Sequence, residues 1–234
     1  MTVERTPGNA TVNVALVSVV SGERYVRHAR RMFASAETYF FGTDAAERAF
    51  ITLDARVGWP DATMYRYHVI LEQVERFRDA THVFLIDADM RIVAPVQKEI
   101  LGSVVATSHP GYVGQRGTYE GRPESVAYVR PDEGTAYYCG GFVGGERSEF
   151  LALAEAIRDG VDADAANGVT ALWHDESHLN RYLIDHPPDV HLTPSYCYPE
   201  TDRSYIRKVW PHRYEPKIVA LQKNRVGAAL RRWF

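Results

Sequence analysis

The sequence predicts an α/β fold with a largely parallel sheet, built as a single domain. Three observations carry this. Apolar, β-branched runs alternate with helically spaced runs through Asp87. The strands among them are apolar throughout, as strands covered on both faces are. The 234 residues contain no internal repeat, low-complexity stretch or linker, which fits one large domain.

The elements follow in order. Residues 1–11 are polar and predict a loose tail, leaving 12–234 as the domain. "VNVALVSVV", Val12–Val20, is rich in β-branched residues and bounded by Ser21-Gly22, which predicts a buried opening strand. "ERYVRHARRMFASAETYF" places Val26, Ala29, Phe33 and Ala36 at helical spacing. "AFITLD" reads as a second strand. "TMYRYHVILEQVERF" reads as one helix with Met64, Tyr67, Ile70, Leu71 and Val74 on a single face. The apolar run Val83–Ile86 then forms a strand that ends at Asp87. From Gly102 to Gly145 glycine and proline are frequent and the aromatics are mostly tyrosine. One further helix is expected from about Leu172 to Asp185, and a basic "LRRWF" closes the chain.

Composition excludes several classes. A net charge of −3 gives no basic balance for a nucleic-acid face. No apolar run reaches the ~20 residues of a membrane span, and the polar N-terminus lacks the apolar core of a signal peptide. Cys139 and Cys197 form neither a CxxC pair nor a disulfide framework, so a cytoplasmic protein with free thiols is expected.

The candidate chemistry starts at "FLIDADM". Asp87 and Asp89 stand at a strand end, where open α/β sheets bind ligands. In an extended chain i and i+2 point the same way, so the pair reads either as a solvated turn or as carboxylates holding a divalent ion and a diphosphate. In "LWHDESHLNRYLID", Leu172, Glu176, Leu179 and Leu183 share one helical stripe. A glutamate on an apolar stripe is either satisfied by an arginine or backbone donors, or faces a reaction site, with Asp175 beside it. His174 and His178 at i and i+4 suit two zinc ligands, but a zinc hydrolase needs its glutamate directly after the first histidine, where Asp175 stands. "YYCGGFVGGE" carries four glycines in six residues and reads as a turn, a bulge or a ligand wall. His109, in "SHPGY", is either structural or ligand-facing, and the basic tail either a solvated end or a diphosphate clamp.

Taken together, "FLIDADM", "HPGY", "TYEGRPESVAY", "DEGTAYYCGGFVGG", "ANGVTALWHDESHLN" and "ALQKN" resemble, in order and spacing, the family 6 retaining glycosyltransferases, the family of the ABO blood-group transferases and α-1,3-galactosyltransferase. The likeness is close from about Met64 to Lys223 and traceable from Val12. It implies a GT-A fold, with a nucleotide-binding α/β half and an acceptor-binding half. It implies transfer of GalNAc or Gal from a UDP-sugar to a 3-hydroxyl with α-retention. By motif, Asp87 and Asp89 resemble the DxD pair for Mn²⁺ (or Mg²⁺), and Ala88 a backbone contact to the ribose or uracil. Tyr25 resembles the tyrosine against uracil, with Val20 and Ser21 near the base, and Arg66 an arginine that touches the donor sugar and orders the aspartates. Gly140, Gly141, His174 and Asp175 would line the donor sugar. His109, Thr118, Cys139, Trp173 and Glu176 would line the acceptor or the reacting centre. Glu176 would be the catalytic carboxylate, as nucleophile or as charge stabiliser. Lys223 resembles a lysine that closes over the diphosphate.

Departures from the family pattern shape the expectations. Many bacterial relatives lack DxD; this chain keeps it, so metal dependence is expected. The pair is expected to be poorly ordered until metal and nucleotide arrive. Where the family has an acceptor-contacting aspartate, this chain has Pro199, followed by Glu200. The family's tail arginine aligns with Ala229, with Arg231 and Arg232 nearby. Gly141 leaves room for an N-acetyl group, which favours UDP-GalNAc over UDP-Gal. The start at Met1 without an anchor suggests a soluble, bacterial-type member. The expected partners are the UDP-sugar and an oligosaccharide or glycoconjugate acceptor.

Overall fold

The structure, a computed structural model, describes residues 12–42, 47–58, 60–200 and 214–222. The opening unit forms as the sequence predicts. Strand β1 (Asn13–Val20) leads through helix α1 (Gly22–Tyr39) to β2 (Glu47–Asp54), and β1 pairs in parallel with both β2 and β3 (His82–Ile86). Side chains alternate across these strands. Ala15, Val17, Val83 and Leu85 point to one face; Val14, Leu16, Phe84 and Ile86 point to the other. Both faces of β1 and β3 are covered, which is why these two strands carry no polar side, while the edge strand β2 keeps exposed positions at Glu47, Ala49 and Asp54.

The expected helix over residues 63–77 breaks into three pieces: α2 (Asp61–Met64), α3 (Arg66–Glu72) and a 3₁₀ turn (Val74–Phe77). Tyr65 and Gln73, with φ −103° and −115°, leave the helical basin at the two joints. The break makes Arg66 the first residue of α3, where it is buried.

The second half differs from expectation in two ways. The glycine-rich stretch is a strand, β6 (Tyr138–Glu146), at the centre of a six-stranded sheet of order β2-β1-β3-β6-β5-β7, with β5 at Val104–Ser108 and β7 at Val190–Leu192. Because β6 runs antiparallel to both β3 and β5, the sheet is mixed rather than largely parallel. A 20-residue helix, α4 (Arg147–Ala166), also stands where no helix was expected. Phe150, Leu153, Ala154, Ile157 and Val161 form its buried stripe. Helices α3, α4 and α5 (Asp175–Asp185) cover one face of the sheet. Helix α1 and a small sheet of order β4-β9-β8 (Met90–Ile92, Ile218–Ala220, Tyr198–Pro199) cover the other. No helix among the described residues is long and apolar enough to cross a membrane.

Candidate active site

The aspartate pair lies in the turn that carries the chain from the large sheet to the small one. β3 ends at Ile86, and Met90 N–H donates to the Asp87 carbonyl at 3.1 Å. The chain is therefore not extended at 87–89, and the two carboxylates do not share one strand face. Asp87 turns inward to Arg66 and keeps a side chain 38% exposed. Asp89 is buried and lines a cleft of about 420 Å³ shared with Tyr25 of α1 and with Leu221 and Gln222. Backbone bonds hold the turn at both ends. Asp87 N–H donates to Gly141 at 3.0 Å, and Leu221 N–H donates to Asp89 at 2.9 Å. Asp87 has a partner of its own in Arg66.

That partner is the centre of the site. Arg66 donates through Nη1 to Asp87 Oδ1 at 2.9 Å and through Nε to Asp175 Oδ2. Burial works against its charge, but Asp175 and Asp87 outweigh burial and keep it protonated. Asp175, at the head of α5, is fully buried, and its Oδ1 has no hydrogen-bond partner among the described residues. Burial raises its carboxyl to about 7, against the pull of Arg66.

Glu176 follows. Gly140 N–H donates to its Oε2 at 2.8 Å. Burial again raises the carboxyl to about 7, opposed by the Gly140 bond and by Arg66. Tyr137 lies beside it without a well-aligned bond to any described residue, and burial and the Glu176 charge keep that phenol protonated. Of the two readings of the stripe glutamate, the backbone donor is present: Gly140 N–H bonds it, with the Arg66 charge nearby. Leu172, expected on the same stripe, lies before the helix and is 46% exposed. Asn180, which the sequence reading passed over, fastens α5 to β6. Its Oδ1 accepts from Tyr138 N–H and its Nδ2 donates to the Tyr138 carbonyl, both at 2.8 Å. An asparagine in mid-helix with buried neighbours was the available signal.

The glycines have a specific job. Opposite β5 the register of β6 jumps from Ala106↔Val143 to Thr107↔Cys139, so Gly140, Gly141 and Phe142 bulge out of the ladder. Thr107 Oγ1 donates to the Phe142 carbonyl at 2.8 Å and satisfies the bulge. A Cβ on Gly140 would overlap Arg66 Nη2, and one on Gly141 would overlap Met90 Cε. The space beside Gly141 is thus taken by Met90, not left open.

The remaining candidates sort into groups. Val20 and Ala88 pack with Tyr25 in one small apolar cluster beside the aspartate turn. Ser21, the residue before α1, donates its hydroxyl to the Val57 carbonyl. His109, Thr118 and Trp173 gather around Tyr112 and Tyr137. His109 and Tyr137 rings stand 5.7 Å apart, Tyr112 O–H donates to Thr118 Oγ1 at 2.8 Å, and Trp173 Nε1 donates to the Thr118 carbonyl at 3.1 Å. Burial lowers His109 to about 4, and its Nδ1 accepts from Gly111 N–H, so the ring is neutral with its proton on Nε2. Cys139 is buried against Cys197, whose thiol is pushed up by that contact and by burial. Cys139 therefore lies beneath the surface rather than on it. His174 precedes α5 with φ +52°, and His178 sits 3.4 Å from Asp164, so the two histidines do not form a two-ligand helical face. Lys223 and the tail arginines lie outside the described residues.

The donor set suits a hard divalent ion. Arg66 takes one oxygen of Asp87, and Oδ2 and the Asp89 carboxylate are oxygen ligands of the kind Mg²⁺ and Mn²⁺ accept. Among the described residues no three His, Cys, Asp or Glu cluster tightly enough to hold a metal alone. An ion here would complete its shell with waters and ligand phosphates, as such ions commonly do.

The chain is similar in sequence to known glycosyltransferases. The family model "Glycosyltransferase family 6" matches residues 45–224. The histo-blood group ABO system transferase 1 of Rattus norvegicus is 40% identical over 187 residues, 76% of this chain and 52% of that protein. The globoside alpha-1,3-N-acetylgalactosaminyltransferase 1 of Canis lupus familiaris is 30% identical over 218 residues, 82% of this chain and 62% of that protein. Alpha-1,3-galactosyltransferase 2 of Homo sapiens is 28% identical over 176 residues, 71% and 51% of the two chains. The chain thus spans about half to three-fifths of the length of these relatives. With its mixed α/β fold and its motifs in order, it belongs to glycosyltransferase family 6.

Proposed function

We propose that residues 12–234 form one GT-A catalytic domain that moves GalNAc, or Gal, from a UDP-sugar to the 3-hydroxyl of a β-galactoside, retaining the α-configuration. One observation carries most weight: Asp87 from the strand end and Asp175 from α5 converge on a single buried arginine, and Glu176 is held beside them by the Gly140 N–H of a glycine bulge. Acids from distant parts of the chain are not gathered at such cost unless their charge is used.

The residues then take roles. Asp87 and Asp89 hold Mn²⁺, which when bound offsets charge on the departing diphosphate. Arg66 keeps Asp87 aimed and shields Asp175. Val20, Tyr25 and Ala88 form an apolar wall for the uracil, and Ser21 fixes the entry to α1. Gly140 N–H orients Glu176, whose ionised form stabilises positive charge growing on the sugar ring. Gly140, Gly141, His174 and Asp175 border the donor sugar, and Lys223 covers the diphosphate. Neutral His109 with Thr118 and Trp173 offers an aromatic and polar wall to an acceptor sugar. Cys139 acts from below by supporting β6. UDP-GalNAc is favoured as donor if Met90 swings away from Gly141, since its thioether chain is flexible.

Purified protein given UDP-GalNAc or UDP-Gal, Mn²⁺ and a panel of lactose and fucosylated galactosides tests the reading. Sugar transfer and UDP release that stop in EDTA are the expected result. Full turnover in chelator would remove the metal role, and no UDP release from either donor would remove the function.

A further inference from the structure

One face of α1 is basic in a regular way. Arg24, Arg27 and Arg31 recur at i, i+3 and i+7, with His28 between them, and all four line the cleft that holds Asp89 and Tyr25. Residues at this spacing stack on one helix face, so the three guanidiniums repel one another. Among the described residues little answers them. Arg27 reaches Glu23 at 3.5 Å, but that acid is 95% exposed and the link is weak. Arg24 and Arg31 have no carboxylate partner among the described residues. The same cleft is also lined by Asp89 and Gln222. The stripe runs two turns, about 10 Å, which gives room for more than one phosphoryl group. The cleft is concave, so it suits a small anion rather than a flat surface. Tyr25 offers a ring for a base within the same cleft.

We infer that Arg24, Arg27 and Arg31 form a phosphate-binding wall for the diphosphate of the nucleotide, in the cleft that Asp89 also lines. This rests on the donor reading given above and adds to it a second set of cations that belongs to the body of the fold. Guanidiniums suit the role because their planar donors match phosphate oxygens in pairs.

The test is calorimetric binding of UDP, pyrophosphate and uridine, each with Mn²⁺, to the wild type, to the double variant Arg24→Gln/Arg31→Gln and to Arg30→Gln. Arg30 is exposed on the same helix but does not line the cleft. In the double variant, Kd for UDP and pyrophosphate should rise about tenfold or more, with uridine unchanged. Arg30→Gln should bind all three as the wild type does. UDP binding by the double variant within about twofold of wild type would overturn the wall and leave the donor reading standing. Equal weakening of UDP and uridine would also overturn it, since phosphate would not be what the stripe reads. A wild type that binds pyrophosphate through these arginines but neither UDP nor uridine would overturn the nucleotide reading while keeping the anion site. A wild type that binds none of the three would overturn both.

Discussion

At the scale of single residues, the proton on Glu176 links stability to chemistry. Its carboxyl rises from 4.5 to about 7 because the pocket around it is poor in water, while Gly140 N–H and Arg66 pull the other way. A group raised in the folded state adds stability that is fully present below its unfolded pKa. That stability is lost as pH climbs through the folded value. Between pH 4.5 and about 7 the metal-free protein therefore spends stability to ionise Glu176. Glu176→Gln removes this dependence. In urea unfolding of the metal-free protein, the variant should gain on the wild type between pH 5 and pH 8 by up to about 3 kcal/mol. Water still reaches one edge of Glu176, so the figure is a ceiling. The same variant should lose transfer by at least about a hundredfold. An unchanged stability difference at the two pH values would show that the folded carboxyl is not raised.

At the scale of elements, the bulge in β6 decides how close the sheet comes to the acids. Gly140 is the position where Arg66 passes the strand, and Arg66 has no freedom to retreat because Asp87 and Asp175 hold it. Gly140→Ala should therefore cost about 1–3 kcal/mol in urea unfolding and weaken UDP binding, because Asp87 moves with Arg66. Gly141→Ala meets only the flexible end of Met90 and should be milder on both counts. Equal, near-zero effects at the two glycines would mean that the bulge does not constrain the arginine. This element was the hardest to read in the sequence. Glycine has no side chain to mark a period, so the sequence left a turn, a bulge and a ligand wall open; the bulge is present, but inside a buried central strand. The first strands were legible because their β-branched residues cover both faces. The acid cluster was half legible: the stripe placed Glu176 with Leu179 and Leu183, but nothing local showed that Arg66, 109 residues from Asp175, would join them. Phe150, Leu153, Ala154, Ile157 and Val161 stand at helical spacing, yet the alanine-rich "ALAEAIRDGVDADAA" around them diluted the apolar signal of α4. At the aspartates a turn was one of the two readings left open, and the i, i+2 argument fails because Met90 N–H closes the chain back onto the Asp87 carbonyl.

At the scale of the whole molecule, two sheets are joined through the proposed metal turn, and this gives a ligand a route to the rest of the fold. Asp87 N–H bonds to Gly141 of the large sheet, and the Asp89 carbonyl receives Leu221 N–H just past β9 of the small one. Glu200 N–H bonds to Ala220 in the same small sheet. A ligand seated on Asp87 and Asp89 thus loads both sheets at once, while the edge strand β2 pairs with β1 at the far side of the large sheet. A ligand bound to the folded state suppresses opening in proportion to its excess over Kd. With UDP and Mn²⁺ at about 100 times Kd, hydrogen exchange at residues 87–90 and 218–222 should slow by up to about a hundredfold if these segments open as the ligand leaves. Exchange in β2 should change little. Slowing that is uniform across the molecule would show global stabilisation with no special role for the turn. Slowing confined to α1 would place the ligand on the arginine stripe without the aspartates. Protection at both 87–90 and 218–222, lost when Asp89 is replaced by asparagine, is the pattern the two-sheet junction requires.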